Sequence, residues 1–188
     1  MFKSFLMQIL EPLKPMYERE MPPEQHGSVA GRGCDFATHT LLSGLEVSKQ
    51  RGWSSFVLFL DLQKAFDRVI RELVFNFPES EKTNPKEYLI GLGVSDSSAT
   101  WITEFVLRSG GLLAQWGADM QSIDLLRSLH DGCWCKYGTL DSVIRVKKGG
   151  RQGCTSGPWI FNIAYSLAFF CGAEGMHGER ILHHLQLV

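Results

Sequence analysis

Apolar residues recur at helical spacing along several stretches of the chain, and one stretch breaks that rhythm. Phe2, Phe5, Leu6, Ile9, Leu10 and Leu13 form a single stripe, which predicts a short packing helix stopped near Pro12 and Pro15. Residues 22–33 are rich in turn formers and hold three glycines, so a loop is predicted there. Asp35 then starts a second helix, capped by its side chain and running to about Gln50, with Leu41, Leu42 and Leu45 facing inward. Ser55 to Leu60 reads Ser-Phe-Val-Leu-Phe-Leu. Its lack of alternation predicts a strand buried on both faces that ends abruptly at Asp61.

Helical spacing returns at Phe66, Val69, Ile70, Leu73, Val74 and Phe77, ending at Pro78. The local order is therefore strand, acid, helix. Two more amphipathic helices are predicted over about 99–107 and 119–130, separated by Gly110 and Gly111. Cys133 to Lys136 and Ser142 to Val146 flank Tyr137-Gly138 and predict a hairpin that leads into the loop 147–157. Ile160, Phe161, Ala164, Leu167, Ala168 and Cys171 mark the buried face of a last helix.

Composition narrows the class. The 188 residues are 44% hydrophobic and 21% charged, which suits one ordinary domain with a sizeable core and argues against disorder throughout. The net charge is −1, so any polyanion contact must come from a local cluster of Lys and Arg. Five cysteines at irregular positions make no disulfide framework and fit a reducing, intracellular setting. Gln8 and Glu11 interrupt the N-terminal apolar run, so no signal peptide is expected. No stretch reaches the roughly 18 apolar residues of a membrane span, and a soluble protein is expected.

Asp61 stands where a strand should end, a common way to present a carboxylate to a hard cation such as Mg²⁺. The competing reading is a helix cap. Asp67 falls in the first helical turns, where it would favour the helix dipole. Arg145, Lys147, Lys148 and Arg151 surround Gly149, Gly150 and Gly153, so backbone amides could approach a phosphate while side chains neutralise it. A solvated charge run is the competing reading. Gly31-Arg32-Gly33 lacks the full spacing of a phosphate loop. His130, Cys133 and Cys135 lack a partner pair at zinc-finger spacing, and His183 and His184 are left unassigned.

Three blocks, taken in order, resemble the reverse transcriptases of non-long-terminal-repeat retrotransposons and their group II intron relatives. The first is Gln25-His26-Gly27 followed by Gly31-Arg32-Gly33-Cys34, similar to a fingers segment, with Ser28 where that family usually has Phe. The second and most specific, Phe59-Leu60-Asp61-Leu62-Gln63-Lys64-Ala65-Phe66-Asp67-Arg68-Val69, resembles the first palm motif. The third is Gly150-Arg151-Gln152-Gly153-Cys154 with Pro158, Phe161 and Asn162, similar to the loop and helix that contact template and incoming nucleotide. Thr155 and Gly157 replace the usual Pro and Ser, so that loop is expected to be looser.

The resemblance implies an α/β (α+β) fold, helix-rich with a small incomplete antiparallel sheet. It divides the chain into a fingers-like segment, residues 1–54, and an incomplete palm, residues 55–188. It also implies RNA-directed DNA synthesis on an RNA template with a DNA primer and deoxynucleoside triphosphates. Asp61 would be the catalytic carboxylate and Mg²⁺ ligand. Phe66 would lie under the nucleotide sugar, and Arg32, Arg151, Gln152 and Gly153 would contact nucleotide or template.

The family's adjacent Asp pair is missing from this sequence, as are its Arg-Pro-Ile fingers segment, thumb and endonuclease. Glu174 and Glu179 carry no mark of a substitute. Two-metal transfer clamps ions about 4 Å apart, and one Asp cannot hold both. The chain by itself is therefore expected to be an inactive fragment. One rival is a noncatalytic nucleic-acid-binding remnant using Lys147, Lys148 and Arg151. Another is an unrelated Mg²⁺-dependent phosphotransfer enzyme using Asp61, which leaves the other two blocks unexplained.

Overall fold

The computed structural model describes residues 2–59, 61–136, 138, 142–151 and 153–173. Helices dominate these residues, and one small sheet joins them. The helices are α1 (Phe2–Leu10), α2 (Lys14–Glu20), α3 (Cys34–Gln50), α4 (Glu72–Phe75), α5 (Pro85–Gly91), α6 (Asp96–Ser109), α7 (Leu112–Gln115), α8 (Met120–His130) and α9 (Gly157–Ala173). The strands β1 (Trp134–Cys135) and β2 (Ile144–Arg145) pair antiparallel. This is a mixed α/β architecture, as expected. Among the described residues no helix is long and apolar enough to cross a membrane.

One core runs from Ile9 in α1 to Ile163 in α9. Leu6, Ile9, Leu10, Leu13 and Tyr17 are buried along one side of the first 20 residues, so the predicted stripe holds at Leu6, Ile9, Leu10 and Leu13, while Phe5 is exposed and the side chain of Phe2 lies outside the described residues. Its predicted stop does not hold, because the chain keeps turning through a single 3-10 turn, Glu11–Leu13, into α2. Pro12 and Pro15 each fall at the start of a new helical segment. There the missing N–H has no helical partner to lose, and the fixed φ already suits the turn.

α6 and α8 follow the sequence closely because their ends carry their own signals. Ser95 accepts a hydrogen bond from the Ser98 amide, and Asp119 accepts one from the Ser122 amide at 2.8 Å. Each satisfies an amide that the first helical turn leaves open. Gly110 ends α6 in a left-handed conformation, the usual glycine stop.

Two predicted elements fail, each for a physical reason. Residues 53–59 form no strand, and Phe56, Leu58 and Phe59 are exposed by 91%, 70% and 84%. An apolar run becomes a two-sided buried strand only where neighbours pair its backbone and cover both faces, and the described residues supply neither. The stretch 66–77 is not one helix. It splits into a 3-10 turn, Phe66–Arg68, and the single-turn α4, because Val69 is extended and Asn76 has φ +73°. Its apolar residues Val69, Leu73, Val74, Phe75 and Phe77 still reach the core.

α3 spans nearly the predicted residues, but it begins after Gly33, with Asp35 inside the first turn rather than at the cap. It contains no buried residue: Leu41 and Leu42 face solvent, and Leu45 is half-buried. α9 buries Ile160 and Ile163 together with polar Asn162 and Ser166, while Phe161, Ala164 and Leu167 are half-buried. The side chains of Ala168 and Cys171 lie outside the described residues.

Candidate functional site

The loop between β2 and α9 is fastened to the turn that carries Phe66. The Gly149 amide donates to the Val69 carbonyl at 2.8 Å, and the Gly150 amide donates to the Phe66 carbonyl at 2.7 Å. Gly149 has φ +89°, and a Cβ there would stand 2.9 Å from the Asp67 carbonyl oxygen. Only glycine brings two backbones this close in this conformation. The Phe66 ring stacks on Phe161 of α9 with centroids 5.0 Å apart, and Phe161 stacks in turn on Tyr165 at 5.4 Å.

The same loop folds tightly onto itself. The Cys154 amide donates to Arg151 and the Gly157 amide to Cys154, while a Cβ on Gly157 would meet the Arg151 carbonyl oxygen at 2.6 Å. The loop is closed on itself at Gly157. With Gly157 in place of a larger residue, the chain closes where a side chain would hold it open.

A second set of contacts ties the 21–33 loop to α9. Asn162 is buried, and its amide Nδ2 donates to the Tyr17 hydroxyl and to the Gly27 carbonyl, both at 2.7 Å. Its Oδ1 accepts from Gln25 Nε2 at 3.2 Å. Tyr17 donates to the Ser28 carbonyl and lies parallel to Trp159 at 4.1 Å. Burial pushes the Tyr17 hydroxyl above its ordinary range, against the opposing pull of Asn162. Replacing Asn162 with Ala removes its three bonds to Tyr17, Gly27 and Gln25, leaves the Gly27 carbonyl with Gln25 Nε2 alone, and loosens the loop. We expect a loss of about 2 kcal/mol, from net contributions of about 1 kcal/mol per hydrogen bond. A thermal melt superimposable on the parent's would show that this amide does not hold the loop.

His130, weighed above as a zinc ligand, serves the loop instead. It is buried, its Nδ1 lies 2.8 Å from the Leu126 carbonyl, and its Nε2 lies 3.3 Å from Ser156 Oγ. Burial pushes the imidazole below its usual range, so the ring is neutral. Nδ1 must then donate to the carbonyl, and Nε2 accepts from Ser156. Ser156 is left to accept from Cys154 Sγ at 3.0 Å. Cys133 and Cys135 share a strand face, as predicted, and Cys133 Sγ points to the Leu129 carbonyl.

Arg71 anchors the base of the hairpin. It is buried and donates through Nη1 to the His130 carbonyl and through Nη2 to the Val146 carbonyl at 2.9 Å. Its neighbour Glu72 is also buried and accepts from the Tyr88 hydroxyl at 2.9 Å. Desolvation raises the Glu72 carboxyl, while the Arg71 charge opposes that shift.

The predicted site residues fare differently. Phe66, Gly150 and the 21–33 loop converge on α9, as the contacts above show. Arg32 is half-buried and spends its Nη1 on the Pro22 carbonyl at 2.6 Å and the Gln25 carbonyl at 3.3 Å, so it braces its own loop. Lys148 is half-buried and donates to the Leu92 carbonyl at 2.5 Å. Arg151 and Gly153 are exposed, and Gln152 lies outside the described residues.

Asp61 is exposed and follows the irregular run 53–59 rather than a strand. Among the described residues it makes no hydrogen bond or ion pair. Mg²⁺ takes oxygen ligands, and a two-metal site needs several carboxylates together. Among the described residues no group of three or more His, Cys, Asp or Glu could hold a metal ion. These residues therefore do not fit a two-metal centre.

Sequence reading missed Arg71, Glu72, Tyr17, Ser156 and the structural part played by Asn162. A signal existed for the first two, since Arg-Glu interrupts the apolar sequence from Val69 to Val74 and a charged pair there must find buried partners. Comparison of the chain with protein-family models, with curated proteins and with solved structures finds no match.

Proposed function

We propose that this chain is a fingers-and-palm segment of a reverse transcriptase that holds template and incoming nucleotide. The observation that supports the reading is convergence. Gln25 and Gly27 of the first block meet Asn162 of the third, and Phe66 of the second meets Gly150 and Phe161 of the third. Blocks chosen for sequence resemblance alone had no reason to touch. In this reading the nucleotide sugar rests against Phe66, and Arg151, Gln152 and Gly153 contact the template, while Asp61 alone does not complete a metal site.

The second reading, a noncatalytic nucleic-acid-binding remnant, is favoured by the exposure of Asp61, which belongs to no metal-holding group among the described residues. Phosphoryl transfer rests almost wholly on positioning and charge stabilisation, so one exposed acid leaves the chemistry unsupported. On either reading the chain alone binds an RNA–DNA primer–template with an affinity that falls steeply with salt. It does not extend the primer.

Fluorescence anisotropy of a labelled primer–template across a salt series, run beside a primer-extension assay, tests both readings. Extension by the parent that Asp61→Ala abolishes would overturn the expectation of an inactive segment and remove the binding-only reading. Absence of salt-sensitive binding would remove both.

A further inference from the structure

The β1–β2 hairpin carries a feature that the site above does not use. Trp134 pairs with Arg145 and Cys135 with Ile144, and the Val146 amide extends the ladder to the Cys133 carbonyl at 2.7 Å. Alternation along each strand then fixes the faces. Cys133 and Cys135, both half-buried, share one face with Ile144 and Val146. The opposite face carries Trp134 and Lys136 from one arm, with Val143, Arg145 and Lys147 from the other, all exposed.

Trp134 is 67% exposed, and among the described residues no aromatic ring or guanidinium stacks on it. A large amphipathic ring left open gains substantially from being covered. The charge around it is one-sided: between Cys133 and Arg151 the sequence has five Lys and Arg against one acid, in a chain whose net charge is −1. Lys148 is taken up by the Leu92 carbonyl, but Lys136, Arg145 and Lys147 stay on or beside the Trp134 face.

We propose that this hairpin face is a landing surface for single-stranded RNA, with a base stacked on Trp134 and phosphates held by Lys136, Arg145 and Lys147. An open ring among cations is the combination that binds unpaired strands, because every base has a π-face and every linkage a charge. A duplex buries the base faces that Trp134 would need. Opposed residues on a ribbon have Cβ atoms about 5 Å apart, so the base on Trp134 and a phosphate on Arg145 belong to one short stretch of strand. β2 also runs directly into the loop whose Gly150 binds Phe66, so a strand laid on the hairpin leads toward that site. The inference rests on the proposed function for its choice of RNA.

The test is the affinity of the full chain for fluorescein-labelled oligo(U), measured by anisotropy over a salt series. Trp134→Ala should weaken binding roughly tenfold or more, the usual loss for one stacked base, and Trp134→Phe should restore most of it. The triple variant Lys136→Gln, Arg145→Gln, Lys147→Gln should reduce the logarithmic salt slope by about 2, for three lost phosphate contacts on a single strand.

All four residues are exposed, so the melting temperature should hold and separate binding from folding. Unchanged oligo(U) affinity in Trp134→Ala, with the parent still binding primer–template, overturns this inference and leaves the proposed function standing. Failure of the parent to bind any RNA overturns both. A Trp134→Ala change in oligomeric state on size exclusion, without a change in RNA affinity, assigns the face to a second copy of the chain and also overturns it.

Discussion

Gly149→Ala should lower the melting temperature by roughly 10 °C, measured by circular dichroism. Two costs combine. The residue sits at φ +89°, where an L side chain is strained by about 1–3 kcal/mol. The new Cβ would also lie 2.9 Å from the Asp67 carbonyl oxygen and 3.0 Å from the Phe66 carbonyl oxygen. These are backbone atoms, so relief requires one chain to back away, breaking the bonds from Gly149 to Val69 and from Gly150 to Phe66. A total of about 3–4 kcal/mol corresponds to that shift at roughly 2–4 °C per kcal/mol for a chain of this size. The variant should also detach the 147–157 loop from Phe66. A melt within about 2 °C of the parent would show that the approach of the two backbones is not tight.

Arg71→Met should be at least as damaging, with an expected loss of about 3–5 kcal/mol, the range for removing one member of a buried charged network. Met approximates the length of the stem, so packing is largely kept and the loss isolates the guanidinium. Without it the His130 and Val146 carbonyls lose their donor, and Glu72 loses the buried positive charge that opposes its desolvation. Chemical denaturation of parent and variant gives the number directly. A difference below 1 kcal/mol would mean that water replaces the guanidinium, and that the hairpin base is wetter than its burial implies.

Where the sequence carried its own stop signals, the fold could be read from it. Asp119 announces the start of α8, Gly110 closes α6, and the residues flanking Tyr137-Gly138 pair as a hairpin, whereas the start of α6 was placed three residues late because the Ser95 cap went unread. Local chemistry decides those features. The run 53–59 shows the opposite case, since apolar content states only what a segment would do if neighbours came, and no partner covers it among the described residues. The predicted inward face of α3 fails in the same way: its pattern marks which side would face a core, and no core reaches it among the described residues.

The candidate site was legible in part. Sequence resemblance put the Phe66 turn and the glycine loop among the same few site residues, but the hydrogen bonds that join them were not legible in it. Arg32 and Lys148 did not follow, because a cation in sequence looks the same whether it faces a phosphate or a carbonyl of its own backbone. What Gly157 does for the loop was not legible, because it depends on how near the Arg151 carbonyl passes.

The solvent-facing character of α3 has a thermodynamic consequence. A 17-residue helix with no buried side chain draws its order from its own ladder of hydrogen bonds, and isolated helices of that length are marginal in water. It therefore frays by itself, ahead of the remainder, and its amides exchange with solvent by local opening rather than through global unfolding. The heat absorbed at the main transition then reports the packed body around Tyr17, Phe75 and Ile163, and it falls short of what chain length alone would suggest.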